Sequence, residues 1–265
     1  MPHAVAATDL LLAYGTRLAL TGATFEIPTG VVVALIGPNG SGKSSLLRAV
    51  AGLLEPRSGV LDVPARRSRG AVAIVLQTTE VDRSLPITVR ETVTMARYAV
   101  RGPFGRLRAD DRAAVQEALE ALEVADLAGR QLHELSGGQR QRVLVAQGLA
   151  QQSDLLLLDE PVTGLDVVSR ELILGVIERE RAAGRTVLVT THDLDDARRA
   201  DLVMLLANRV VAFGPPEEVL TDEPLRAAYG GRGLRVPEGV IVMDDPHHAH
   251  HHGPSVPAEG PRRGA

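Results

Sequence analysis

VVVALIGPNGSGKSSLLRAV, residues 31–50, decides the architecture. It opens with an apolar run of strand length, 31–37, bounded by Gly30 before it and a glycine-rich loop after it. The loop GPNGSGKS (37–44) has the form G-x-x-x-x-G-K-[ST]. The stretch KSSLLRAVAGLL (43–54) then spaces its apolar residues as a helix does. Strand, loop and helix in that order are the context this motif requires. Its glycines let the loop curl so that successive backbone N–H groups form an anion nest, and the helix adds its positive end. Gly37, Pro38, Asn39, Gly40, Ser41, Gly42, Lys43, Ser44 and Ser45 are therefore candidate ligands of nucleotide phosphates. Lys43 can reach the β- and γ-phosphates, and the Ser44 hydroxyl can ligate Mg2+. Lys43 is also the one lysine in a chain with 29 basic residues. A compact ammonium fits among phosphate oxygens where the planar fork of arginine does not.

Downstream, DLLLLDE (154–160) is a buried strand that ends in two carboxylates. Such a strand delivers its acids to the sheet edge beside the phosphate loop. Asp159 is a candidate Mg2+ ligand, and Glu160 can orient or deprotonate a water. The plainer alternative is that both acids cap the segment before Pro161. TVLVTTHD (186–193) is a third apolar strand, and His192 at its end can donate a hydrogen bond to a γ-phosphate. Apolar strands alternating with helices predict a parallel sheet covered on both faces. Further strands are expected over 4–14, 23–28, 71–77, 201–207 and 209–214, the last two joined by a tight turn. Helices are expected over 108–122, 137–150, 167–183 and 193–200. Thr88 and Glu91 have capping-box spacing, which starts another helix running through Tyr98. The block from about 78 to 140 lacks good strands and reads as a helical insert. RRSRG (66–70) reads as a solvated turn.

Composition narrows the field. Hydrophobic residues make up 45% and charged residues 23%, ordinary for a globular protein. A net charge of −4 gives no reason to expect a nucleic-acid partner. With no cysteine, disulfides, thiolate nucleophiles and cysteine-ligated zinc are excluded. No apolar run reaches the ~18 residues of a membrane span. MPHAVAATDLL, at the start, has neither a basic region nor a cleavage site, so no export signal is expected. Aromatic residues are 2%, so the core must be alanine, valine and leucine.

One more motif, LSGGQRQR (135–142), is a Ser-Gly-Gly turn opening a helix, a second backbone anion site. It lies just before DLLLLDE, and with it the chain resembles the ATP-binding subunits of ABC transporters over about residues 4–230. Tyr14, GPNGSGKS, Gln77, LSGGQ, DLLLLDE, Asp166 and His192 run in that family's order. The resemblance implies an α/β P-loop NTPase fold with a mostly parallel core sheet, an N-terminal antiparallel β subdomain and a helical insert. The cassette would occupy residues 1–230, with a C-terminal extension over 231–265. It implies ATP hydrolysis with Mg2+ and assigns roles by position. Tyr14 stacks on adenine. Gln77 touches Mg2+ and water and relays to the membrane subunit. Ser136, Gly137, Gly138 and Gln139 close over the ATP of the opposite subunit, and Asp166 sits at the dimer seam. The partners implied are a second copy in head-to-tail arrangement, an integral membrane permease and, indirectly, an extracytoplasmic metal-binding receptor. The location implied is peripheral, on the cytoplasmic face of the membrane. Leu76, the loop PVTGLD and Gln147 depart from the family's commonest residues without removing a catalytic group.

QTTEVDRSLPITVRETVTMARY (77–98) resembles the manganese, zinc and iron importer branch, with Glu80, Val81, Asp82, Pro86, Ile87, Thr88, Val89, Arg97 and Tyr98 matching. GPPEEVLTDEPLRAAYG (214–230) is similar to that branch and also to siderophore and cobalamin importers. An importer of siderophore, haem or cobalamin stays open as the alternative, and a non-transport ABC ATPase is a more distant one. After Tyr229 the chain is rich in Gly, Pro and His. VPEGVIVM (236–243) can form one strand, and the rest from Asp244 is expected to be disordered. Five histidines fall in PHHAHHHG (246–253). Such a cluster can bind Zn2+ or similar ions, and harmless low complexity is the plainer reading.

Overall fold

Val32–Ile36, Leu155–Leu158 and Thr186–Thr190 are buried at every position. Strands with no polar face need helices on both sides of their sheet. The computed structural model, which describes residues 2–77, 86–230, 233–235 and 241–243, has that architecture. The chain runs β1 (His3–Tyr14), β2 (Arg17–Pro28), β3 (Val32–Ile36), α1 (Lys43–Val50), β4 (Ser58–Asp62) and β5 (Val72–Val75). Helices α2 (Val89–Arg101), α3 (Ala109–Ala121) and α4 (Gly137–Ala150) follow. Next come β6 (Leu155–Leu158), α5 (Val167–Ala182), β7 (Thr186–Thr190), α6 (Leu194–Arg198), β8 (Leu202–Leu206) and β9 (Val210–Gly214). With α7 (Pro216–Val219) and α8 (Asp222–Tyr229) these make up one compact unit, Met1–Gly231. The other unit, Arg232–Ala265, contains β10 (Gly233–Arg235), paired antiparallel with β11 (Ile241–Met243).

The six-stranded sheet has the order β5-β6-β7-β3-β8-β9. Every neighbouring pair is parallel except β8 and β9, which form the expected hairpin. A separate antiparallel sheet of order β2-β1-β4 supplies the N-terminal β subdomain. Between the two sheets Leu10, Leu12, Leu20 and Ile27 pack in one core with Leu46, Leu47, Leu157 and Met204. Each fully buried aliphatic side chain contributes about 1.5–3 kcal/mol. Phe25 and Phe213 meet edge to face across this core at 6.4 Å.

The parallel register sets the level of the later site. Leu35 faces Thr190, Leu158 faces Val189, and Val75 faces Leu158. The loops leaving β3, β5, β6 and β7 therefore emerge together at the carboxyl edge. Three local differences from the sequence reading have simple causes. Helix α1 stops at Val50 rather than Leu54, because Gly52 turns left-handed at φ +79°. β4 has no counterpart in the sequence reading, since three of its five positions are exposed and no alternating apolar pattern marks it. Pro64–Arg67 forms a single 3-10 turn, where 66–70 reads as a simple turn. Glu80, Val81, Asp82 and the histidine-rich run 246–253 lie outside the described residues.

Candidate active site

The phosphate loop takes its shape from close contacts that only glycine allows. A Cβ on Gly37 would stand 2.1 Å from the Leu206 carbonyl oxygen, and one on Gly42 would stand 2.5 Å from that of Ala19. Both glycines also have positive φ, +145° and +104°. Gly42 caps α1 without a side-chain bond, and the first turn of α1 carries no acid. The positive end of that helix is thus left for an anion. Lys43 is buried, and its Nζ donates to the Gly37 carbonyl at 2.7 Å and to that of Pro38 at 3.2 Å. Ser41 Oγ is buried with no hydrogen-bond partner among the described residues. An orphaned hydroxyl and a buried ammonium in one loop fit a polyanionic ligand.

The second half of the site comes from β6 and β7. Thr190 Oγ1 donates to Asp159 Oδ1 at 2.8 Å, and Ser44 Oγ donates to the same oxygen at 3.0 Å. Hydroxyl and carboxylate oxygens converging in this way form a donor set suited to Mg2+. Thr190 also accepts from the Glu160 backbone N–H at 2.7 Å, so one threonine fixes both acids. Glu160 is left-handed at φ +48°, a strained conformation for a non-glycine residue, of the kind that gathers at functional sites. Its Oε2 accepts from Gln77 Nε2 at 3.3 Å and from Thr163 Oγ1 at 3.2 Å.

A cleft of about 380 Å3 joins these groups. Its wall includes Tyr14, Arg17, Asn39, Lys43, Gln77 and Glu160, together with the rest of the loop from Gly40 to Ser45. Tyr14 is exposed at the end of β1, and its hydroxyl accepts from Arg48 Nη1 at 3.3 Å. Arg17, Leu18, Ala19 and Thr190 belong to the site, yet sequence reasoning does not single them out. A threonine that ends an apolar strand is the one signal that could mark Thr190. No motif marks the other three.

The remaining candidates lie elsewhere. His192 is exposed just beyond β7 and is not part of the cleft wall. Ser136 caps α4 and accepts from the Gln139 N–H at 3.3 Å, while Gln139 Oε1 accepts from the Ser136 N–H. A Cβ on Gly138 would sit 3.1 Å from Asp166 Oδ2, so the Ser-Gly-Gly turn packs against the start of α5. Asp166 caps that helix, accepting from Ser169 N–H and Oγ, and these bonds hold its carboxyl below the usual range. Arg170 ties α5 to α6 by pairing with Asp193 and Asp196. Burial pushes the Asp196 carboxyl up, with the Arg170 guanidinium opposing it. The structure therefore forms two groups: Tyr14, Asn39 to Ser45, Gln77 and Glu160 line the cleft, with Asp159 bonded to Ser44 beside them, and Ser136, Gly137, Gly138, Gln139 and Asp166 lie outside it.

The family model for ABC transporters matches residues 20–163, which include the loop, the Ser-Gly-Gly turn and both acids. The chain belongs to the ABC transporter family. It is 41% identical to the zinc transport system ATP-binding protein TroB of Treponema pallidum, over 87% of this chain and 88% of that one. It is 37% identical to the manganese transport system ATP-binding protein MntB of Listeria monocytogenes, over 87% and 98%. The solved dimeric structure of MJ0796, a bacterial ABC transporter cassette, superposes with a TM-score of 0.71 at 26% identity, covering 80% of this chain and 98% of that one. The chain is thus an ABC ATPase, a nucleotide-binding cassette of mixed α/β fold. Among the described residues, no helix is long and apolar enough to cross a membrane.

Proposed function

We propose that this chain is the peripheral ATPase subunit of an importer of transition-metal cations, bound at the cytoplasmic face of a membrane permease. The observation that carries the ATPase half is that Lys43, Ser44, Gln77 and Glu160 line one cleft, with Asp159 bonded to Ser44. In this reading the phosphate loop binds the β- and γ-phosphates and Tyr14 stacks on the adenine. Ser44, Asp159 and Gln77 hold Mg2+, which neutralises charge on the phosphate oxygens when bound. Glu160, oriented by Gln77 and Thr163, takes the proton of the attacking water. His192 contributes a hydrogen bond to the γ-phosphate.

The second group of residues calls for a second copy of the chain. The family resemblance has Ser136 to Gln139 close over the ATP of the opposite subunit, and their position off this cleft is compatible with that role. The dimeric state of MJ0796 supports that arrangement. The cargo reading rests on TroB and MntB, relatives of zinc and manganese transport systems, and on the resemblance carried by Ile87, Thr88, Val89, Arg97 and Tyr98.

The test is a deletion strain grown in chelator-treated medium. Zinc or manganese chloride at raised concentration should restore growth. Rescue by a siderophore, haem or cobalamin alone would transfer the chain to the chelate-importing alternative.

A further inference from the structure

Asn208 lies in the hairpin turn between β8 and β9, within ANR, a stretch that carries no motif. It is exposed and does not line the cleft, yet it reaches three residues that do. Its backbone N–H donates to the Ser41 carbonyl at 2.9 Å. Its side-chain Nδ2 donates to the Gly40 carbonyl at 3.0 Å and to the Ala19 carbonyl at 3.2 Å. Its own carbonyl accepts from Thr21 N–H at 2.8 Å and Thr21 Oγ1 at 3.0 Å. One residue thus bonds both the phosphate loop and β2, the strand that supplies Arg17, Leu18 and Ala19 to the cleft wall. Its φ of +55° suits asparagine, which tolerates the left-handed region better than most residues.

An anion nest works only if its N–H groups face the ligand and its carbonyl oxygens face away. In a trans peptide the C=O and N–H point in opposite directions, and the described residues include no cis bond. Drawing the Ser41 carbonyl outward therefore turns the Gly42 N–H toward the cleft. Anchoring the Gly40 carbonyl on Nδ2 removes a second oxygen that would repel phosphate. The Ala19 carbonyl, which sits hard against Gly42, is held by the same amide.

We propose that Asn208 is a positioning residue for nucleotide binding: it gathers the carbonyl groups of Gly40, Ser41 and Ala19 and so keeps the phosphate nest turned toward its ligand. This inference rests on the ATPase reading above.

The test compares the full-length native chain with Asn208→Gly and Asn208→Asp. Glycine keeps the left-handed turn and its backbone bonds but deletes the amide. Aspartate keeps the shape but sets a carboxylate against two carbonyl oxygens. Binding of Mg-ATP and of inorganic tripolyphosphate, which lacks the base, is measured by calorimetry, alongside melting temperature and turnover. The loss of two hydrogen bonds should weaken both ligands about tenfold in Asn208→Gly, and more in Asn208→Asp. In Asn208→Gly turnover at saturating ATP should stay near native. Native affinity for both ligands in Asn208→Gly, or a fall in melting temperature with unchanged affinity, overturns the inference. If aspartate prevents folding, the glycine variant alone decides. A native chain that binds tripolyphosphate but fails to hydrolyse ATP would count against the ATPase reading and leave this inference standing.

Discussion

Lys43 and Glu160 show how far single side chains can be read. Of 29 basic residues, 28 are arginine, and the one ammonium is buried inside the phosphate loop, held on two backbone carbonyls. Those carbonyls fix the position of Nζ within the loop. Glu160 is held in a comparable way: Gln77 and Thr163 both donate to Oε2, and Thr190 anchors the backbone. Glutamine has the same shape and keeps an oxygen acceptor for those bonds, but it cannot take up a proton. Glu160→Gln should therefore retain ATP affinity while turnover falls on the order of 10²–10⁴-fold, the usual share of a general base. Phosphate release at saturating ATP, paired with an equilibrium nucleotide titration, checks both halves. Native turnover in the variant would remove Glu160 from the proposed role.

At the scale of elements, the helices between β5 and β6 are fastened to the core by a buried ion cluster. Arg97 on α2 donates through Nε to Asp111 Oδ1 at 2.8 Å, and Arg101 donates to Asp111 Oδ2 at 2.9 Å. Arg97 Nη1 also donates to the carbonyls of Ala150 and Gln151, at the end of the helix that leads into β6. Burial opposes the charge of Asp111, but the Arg108 backbone N–H and the Arg101 and Arg97 guanidinium groups prevail and hold its carboxyl at about 2. Asp111→Ala strands Arg97 in the interior and should cost about 3–5 kcal/mol by urea unfolding. The sign with pH follows from the lowered value. The contribution is fully present above about pH 4 and is lost as pH falls toward 2; it is on the order of 2 kcal/mol. Asp111→Ala should lack that acid-side component; an acid profile parallel to the native one would refute the coupling. The cluster also marks where the sequence stops being informative. Buried strands such as Leu155–Leu158 announce themselves as apolar runs, and the Thr88–Glu91 capping box is visible from spacing and is present. Asp111 stands inside an amphipathic helix like any surface acid, and its two arginine partners lie 14 and 10 residues away. Thr190 and Asn208 escape a sequence reading for the same reason. Their importance depends on which segments lie alongside; the strand-end position of Thr190 hints at a role, but nothing local names its partners or those of Asn208.

At the scale of the whole molecule, the second group of residues says what the monomer leaves uncovered. Val167 and Val168, directly after Asp166, are 75% and 65% exposed. Gly137 faces open space, since a Cβ there would meet no atom of the described residues within 4 Å, and it adjoins Gly138, which packs against Asp166. In the proposed function the Ser-Gly-Gly turn meets the phosphates of a second copy, and exposed valines beside it supply apolar surface for such a seam to bury. The hydrolysis-blocked Glu160→Gln chain with Mg-ATP should therefore run as a dimer in light scattering, and as a monomer without nucleotide. Adding Val167→Asp and Val168→Asp should abolish that dimer by placing two charges at the seam. The same changes should leave the monomer as stable as before, because the sites are exposed and acids are favourable in the first turn of α5. ATP binding to the isolated cleft should also persist, since neither valine lines it. A dimer of undiminished strength in the triple variant would place the seam elsewhere on the surface.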